Sequence, residues 1–173
     1  MRALFLILIL ITLSSEGKAK ADQVALIGSF SNLVATEDAD PHIVEGYSIR
    51  VYSQGTLLFG SMAVATGSLE PAQGRLYDIK YDPSTKKLAF KSKLTTGMVD
   101  GPGLGPDGRP AHDLFVFNGR INGKRLQGIM VHKDGYAPTA SEKSHVSLKK
   151  EDTISLPKSY EEWLGYTALF SSW

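Results

Sequence analysis

From Val24 to Lys149 the sequence is a succession of short segments in which apolar and polar residues alternate, separated by residues that favour turns. A period of two puts successive side chains on opposite faces of an extended chain, so segments of this kind pair into sheet with unlike faces. Tyr47, Ile49 and Val51 alternate with Ser48, Arg50 and Tyr52; Leu88, Phe90 and Leu94 alternate with Lys87, Ala89, Lys91 and Lys93. Tyr77, Ile79 and Tyr81 share a parity, with Asp78 and Lys80 on the other. The pattern predicts an all-β chain with eight strands, at 24–32, 45–53, 56–66, 75–82, 87–94, 113–121, 124–133 and 144–149.

The turns between them are short. Gln54-Gly55 joins two alternating runs, and Asp82-Pro83-Ser84-Thr85 places proline at the second position of a turn. Asn122-Gly123 is the strongest hairpin signal in the chain. A two-residue loop there sets Phe117 opposite Gly128, Phe115 opposite Met130 and Asp113 opposite His132, with Leu114, Val116, Ile129 and Val131 on the other face. A turn at Asn118-Gly119 would reverse those faces. With both faces apolar, this hairpin is expected to be covered on both sides.

After the strands the period changes. Ser159-Tyr160-Glu161-Glu162 reads as a capping box, and Tyr160, Trp163, Thr167 and Phe170 recur at helical spacing. This predicts one helix over about 158–171, packed outside the sheet against the hairpin that is apolar on both faces. Sequential tight hairpins favour an eight-stranded antiparallel up-and-down barrel over a sandwich, whose Greek-key crossovers need longer connections.

Gly28-Ser29-Phe30-Ser31-Asn32 on the first strand resembles the Gly-x-Trp opening of lipocalins and the Gly-x-Trp-x-Asn opening of avidins, with Phe in the place of Trp. Strand count and terminal helix are similar to those of calycins too. The resemblance implies a calycin-like barrel with a small ligand inside it, and Asn32, matching the avidin asparagine, as a ligand contact.

The N-terminus reads as an address. Met1-Arg2 precedes an apolar run from Ala3 to Leu13, too short to span a bilayer, and Ala19-Lys20-Ala21 suits a signal-peptidase site. Residues 1–21 are expected to be a cleaved signal peptide and 22–173 a single exported domain, periplasmic or extracellular, with no integral membrane span.

Composition narrows the chemistry. The chain has no Cys, which excludes disulfides, thiolate metal sites and a cysteine nucleophile. Its 19 basic and 18 acidic residues leave +1, which gives no sign of nucleic-acid binding. His42, His112, His132 and His145 include no i, i+4 pair, so no metal site is expected and no cofactor is implied. Gly103-Leu104-Gly105-Pro106-Asp107-Gly108 fits a dinucleotide fingerprint in letters alone, because no helix follows it to receive a pyrophosphate. It lies in a stretch from Thr95 to Ala111 with five Gly and three Pro, the longest break between strands, readable as a binding loop or as a solvated one.

The candidate ligand-binding residues are Asn32, Tyr47, Tyr77 and Tyr81, with Phe90, Phe115, Phe117 and Met130, all assigned to the barrel interior or its end. Asp113 with His132 is a candidate polar pair, because a carboxylate both orients and charges an imidazole. No catalytic residues are assigned. The expected function is that of an exported, non-enzymatic protein holding a small apolar or amphipathic molecule in a β-barrel. The alternative is an exported interaction or inhibitor module that binds another protein through its loops while side chains fill the barrel. A barrel-mouth cyclase or isomerase and an outer-membrane barrel are lesser readings.

Overall fold

The protein is seen in a computed structural model that describes residues 23–35, 43–68, 70–101, 107–137, 139–152, 154–170 and 173. The expected leader and His42 lie outside the described residues, as does part of the Gly/Pro-rich loop. The strands are β1 (Val24–Ser31), β2 (Val34–Ala35), β3 (Val44–Gln54), β4 (Leu57–Ser68), β5 (Ala72–Asp82), β6 (Lys87–Leu94), β7 (Met98–Val99), β8 (Arg109–Pro110), β9 (Asp113–Asn122), β10 (Arg125–Asp134) and β11 (Ser141–Lys150). One helix, α1 (Tyr160–Tyr166), follows.

The eight long strands form a closed antiparallel barrel in the order β1-β11-β10-β9-β6-β5-β4-β3, with β3 returning to pair with β1. Each long strand pairs with the next long strand of the sequence, through tight turns at β3–β4, β5–β6 and β9–β10 and through longer connections at β1–β3 and β6–β9. Between β6 and β9, the two-residue strands β7 and β8 pair into a ribbon standing off the barrel end. That end, where β6 stops at Leu94, β9 starts at Asp113 and β10 stops at Asp134, is called the rim below.

The interior is one apolar cluster. Phe30, Phe90, Phe117, Leu88, Leu126 and Met130 are each 0–2% exposed, with Ile49, Val51, Met62 and Leu148 packed among them. Some inward positions are glycine because a neighbouring backbone carbonyl and a ring together occupy the space. A Cβ on Gly119 would come within 2.5 Å of Phe117 Cζ, and one on Gly128, its cross-strand partner, within 2.8 Å of the same atom.

The helix is held on the opposite side of the wall from where the sequence places it. Trp163 packs with Tyr52 of β3 and Phe59 of β4 in a second, outer cluster, the Phe59 and Trp163 rings 5.1 Å apart. It does not cover the β9–β10 hairpin, because Tyr52 and Phe59 break the polar outer parity of β3 and β4 and offer the larger aromatic surface. Both helix ends are tied to the barrel: Gln54 Oε1 accepts the Tyr160 amide at 2.9 Å, and Arg75 donates to the Leu164 carbonyl at 3.1 Å and to Thr167 Oγ1 at 2.8 Å. Ser159 caps the N-terminus by accepting the Glu162 amide at 3.2 Å. The Glu162 carboxylate accepts the Lys158 amide, one residue earlier than a capping box requires. The helix ends well before residue 171: after Thr167 the backbone bonds tighten to i→i−3, from Ala168 to Gly165 and from Phe170 to Thr167, and the chain leaves in turns.

Two local registers differ from expectation. In the β9–β10 hairpin Phe117 faces Met130, Phe115 faces His132 and Asp113 faces Asp134, two residues along from the predicted pairing. The loop residues are Gly123 and Lys124, with Gly123 at φ +57 in the place that a II′ turn gives to glycine. A shift of two preserves the faces, so the side chains expected inside are inside. In β5, Asp78 adopts φ +51 and interrupts the ladder between Tyr77 and Lys80. That bulge reverses the parity along β5, with Leu76 inward before it and Ile79 and Tyr81 against the core after it.

Candidate functional site

The rim gathers polar residues at one end of the apolar interior. Asp113 opens β9 facing inward and is 6% exposed. Its Oδ1 lies 2.6 Å from His132 Nε2, and its Oδ2 accepts both the amide and the hydroxyl of Thr96, at 3.0 and 2.7 Å. Burial works to raise the Asp113 carboxyl, but the hydrogen bonds from His132 and Thr96 outweigh it and hold the group below the usual carboxylate value. His132 is raised above its ordinary value, first by the Asp113 hydrogen bond against the opposing effect of burial, then by the charges of Asp113, Glu142 and Asp134. Its ring stacks on Phe115 at 4.8 Å, and Phe115 meets Tyr47 edge-on at 6.4 Å.

Beside this cluster stands a column of stacked groups that only the fold assembles. The Arg109 guanidinium of β8 lies 3.4 Å from the Tyr136 ring, Tyr136 stacks on His112 at 4.4 Å, and His112 stacks on Trp173 at 4.8 Å with the planes 4° apart. Lys93 closes it, its ammonium 4.2 Å over the Trp173 ring and 3.1 Å from the Trp173 carbonyl oxygen. The Trp173 indole N–H donates to the Leu94 carbonyl at 3.1 Å, and the Tyr136 hydroxyl to that of Pro110 at 2.9 Å. Cations at both ends of an aromatic stack are stabilising through the ring quadrupoles. Asp113, through Thr96, and this column together fasten the β7–β8 ribbon to the barrel.

The candidate residues from the sequence fall into three places. Phe90, Phe117 and Met130 are core plugs, buried to 1–2%. Tyr81 packs against that core at the end of the barrel away from the rim, while Tyr47, Phe115, Asp113 and His132 converge at the rim. Tyr77 is corrected: ahead of the Asp78 bulge it sits outside, opposite Lys91, whose ammonium lies 6.0 Å over its ring. Asn32 is exposed, and its Oδ1 accepts the Tyr47 amide at 2.7 Å while its own amide donates to the Tyr47 carbonyl at 3.0 Å. It thus extends the β1–β3 ladder past the end of β1.

Thr96, Tyr136 and Arg109 are partners of the rim that the sequence does not single out. Their contacts span loops whose path no local pattern encodes. Only the adjacency of His112 and Asp113 hinted at the cluster.

Chemically, the rim offers an imidazole hydrogen-bonded to one oxygen of a buried carboxylate, whose other oxygen holds the Thr96 hydroxyl. No group of three metal-ligating side chains occurs among the described residues. No helix among the described residues is long and apolar enough to cross a membrane. Comparison with known protein families, with curated proteins and with solved structures finds no match.

Proposed function

We propose that this chain is an exported, non-enzymatic interaction module, calycin-like in architecture, whose barrel is a scaffold and whose rim meets the partner. The observation that carries this reading is the packed interior. Side chains lining a hollow would expose surface to a water-sized sphere inside it, yet Phe30, Phe90, Phe117, Leu126 and Met130 expose 0–2%. Eight-stranded barrels either fill with side chains or hold one small ligand, and the burial favours filling. Phe90, Phe115, Phe117 and Met130, first suggested as ligand contacts, then serve as core, and polar groups converge at the rim, where Arg109, Tyr136 and the His132–Asp113 pair stand next to the β7–β8 ribbon.

The outward lysines of β6 also weigh against an outer-membrane barrel, which turns an apolar band outward.

Native mass spectrometry of the protein, purified from the exported fraction without detergent, tests the reading. The expected mass equals that of the denatured chain. A reproducible excess of a few hundred daltons, released on denaturation, would overturn it in favour of a ligand carrier.

A further inference from the structure

The barrel wall facing away from the helix is basic at its outward positions, and Glu142 of β11, exposed at the rim end, lies on the other parity. The register aligns its outward residues in rows across four strands: Lys87, Arg120, Gln127 and Ser147; then Ala89, Asn118, Ile129 and His145; then Lys91, Val116, Val131 and Lys143. A further row holds Lys93, Leu114, Lys133 and Ser141, and Arg125 pairs with Lys149 near the far end. Not one outward position of β6, β9, β10 or β11 is Asp or Glu, in a chain whose 19 basic residues are matched by 18 acidic ones. Lys91 is paired with Asp78 of β5 at 2.8 Å, and Lys93 is engaged by Trp173. The other basic side chains of this wall have no ion-pair partner among the described residues.

Ordinary solubility does not account for the arrangement. Lys87 stands directly opposite Arg120, and Arg125 directly opposite Lys149. Like charges facing each other across a ladder are destabilising, and a wall with both signs interspersed would avoid the cost. In the middle of the lysines the surface turns apolar, with Ile129 42% exposed and Val116 and Val131 beside it. This is the wall that the helix was expected to cover and does not.

We propose that the β6–β9–β10–β11 wall is a docking face for an anionic phospholipid surface. Charge complementarity carries the choice of an anionic partner, which would relieve the facing cations. The composition favours lipid over an acidic protein. Lysine outnumbers arginine on the wall, and lysine is a mobile point charge suited to a fluid field of phosphates, whereas arginine predominates where carboxylates are read in fixed geometry. The charges are spread along whole strands on both sides of the cleft that Ala89, Lys91, Val116 and Asn118 line with β5, and Ile129 and Val131 can reach the headgroup boundary between them. The barrel would lie on its side, leaving the rim free for the partner proposed above, and the proposal stands whether or not that partner exists.

Vesicle co-sedimentation of the full chain tests it. Vesicles of phosphatidylcholine with about a third phosphatidylglycerol should retain the protein at low salt, and retention should fall as salt shortens the screening length below about 10 Å. The triple variant Lys87→Gln, Arg120→Gln, Lys143→Gln should bind about a hundredfold more weakly, roughly fivefold per charge removed. Lys158→Gln, on the helix side, should bind as the parent does. All forms carry the same residues 1–21, or lack them alike, so the difference reads the wall and not the leader. Unchanged circular dichroism and melting of the triple variant would show that its fold is intact. Equal binding to neutral and anionic vesicles, or equal binding by parent and triple variant, would overturn the proposal. Retention on immobilised poly-aspartate with none on anionic vesicles would overturn it too, and would reassign the wall to an acidic protein.

Discussion

His132 Nε2 lies 2.6 Å from Asp113 Oδ1, although the two residues are not cross-strand partners. Asp113 faces Asp134 and His132 faces Phe115, so the bond runs along a diagonal of the β9–β10 ladder, where long side chains can still meet. The diagonal leaves Asp113 Oδ2 free for Thr96, and one buried carboxylate thereby ties together the end of β10, the start of β9 and the loop after β6.

That arrangement sets a pH dependence. The raised His132 contributes stability that is fully present below its ordinary value of 6.5 and is lost as pH rises through its folded value. The lowered Asp113 contributes stability that is present above 3.8 and is lost as pH falls through its folded value. The pair therefore stabilises most between about pH 4 and 6.5. Melting temperatures of the parent and His132→Gln across pH 3–9 should differ most in that window and converge above it. The His132 side chain is 35% exposed, so added salt should shrink the difference. A gap that stays constant with pH would mean that the bond acts without charge.

Much of this architecture is legible in the sequence, for reasons tied to particular residues. β6 runs over the predicted residues because Leu88, Phe90 and Leu94 meet no bulge, and a strict period of two fixes both strand and face. β5 misleads at Tyr77 because Asp78, a non-glycine residue at positive φ, reverses the parity in mid-strand, and nothing in the letters marks it. Asp113 and His132 meet despite the shifted hairpin register, since a slip of two keeps every side chain on its face. The basic wall was invisible to a net charge of +1, which averages over the whole molecule. Only the pairing that places Lys87 against Arg120 and Arg125 against Lys149 reveals it.

Arg75 is expected to be the main polar tie of the helix. Its guanidinium reaches Thr167 Oγ1 and the Leu164 carbonyl, and its carbon centre lies 5.7 Å from the Trp163 ring. Arg75→Ala should cost about 2 kcal/mol, the range for losing hydrogen bonds made by a charged group. Arg75→Lys should recover only part of this, because an ammonium cannot reproduce the planar fork. Chemical denaturation gives the magnitude. Trp163 emission in a Trp173→Phe background reports whether the helix has left the wall; no change in either would assign its docking to the aromatic cluster alone.

Lys86 offers a stabilising change. It sits in the β5–β6 turn at φ +58, a conformation that is unfavourable for a residue with a Cβ. Glycine removes that strain and returns part of the gain as unfolded-chain entropy, so Lys86→Gly should stabilise by up to about 1 kcal/mol. Thermal unfolding of the two proteins measures it, and a lower melting temperature for the variant would contradict the strain argument.

The packed interior makes the strongest demand. Phe117 is 1% exposed, stacks on Phe90 at 5.1 Å and fills the space left by Gly119 and Gly128. Phe117→Ala should cost about 3–5 kcal/mol, the loss of the buried ring plus the cavity it leaves. The variant that survives should bind benzene or xenon in that cavity, as apolar cavities do, while the parent binds neither. Gly128→Ala acts in the opposite sense: its Cβ would press hardest on the Asn118 carbonyl oxygen and would meet the Gly119 Cα at 2.6 Å and Phe117 Cζ at 2.8 Å, overpacking the core by about 1–3 kcal/mol. Combining Gly128→Ala with Phe117→Leu should recover part of that loss, because the smaller side chain yields the space. Denaturation midpoints of the single and double variants read the coupling. Additive losses would mean that Gly128 is required by its backbone neighbours and not by the ring, and uptake of benzene by the parent would mean that the barrel is not filled.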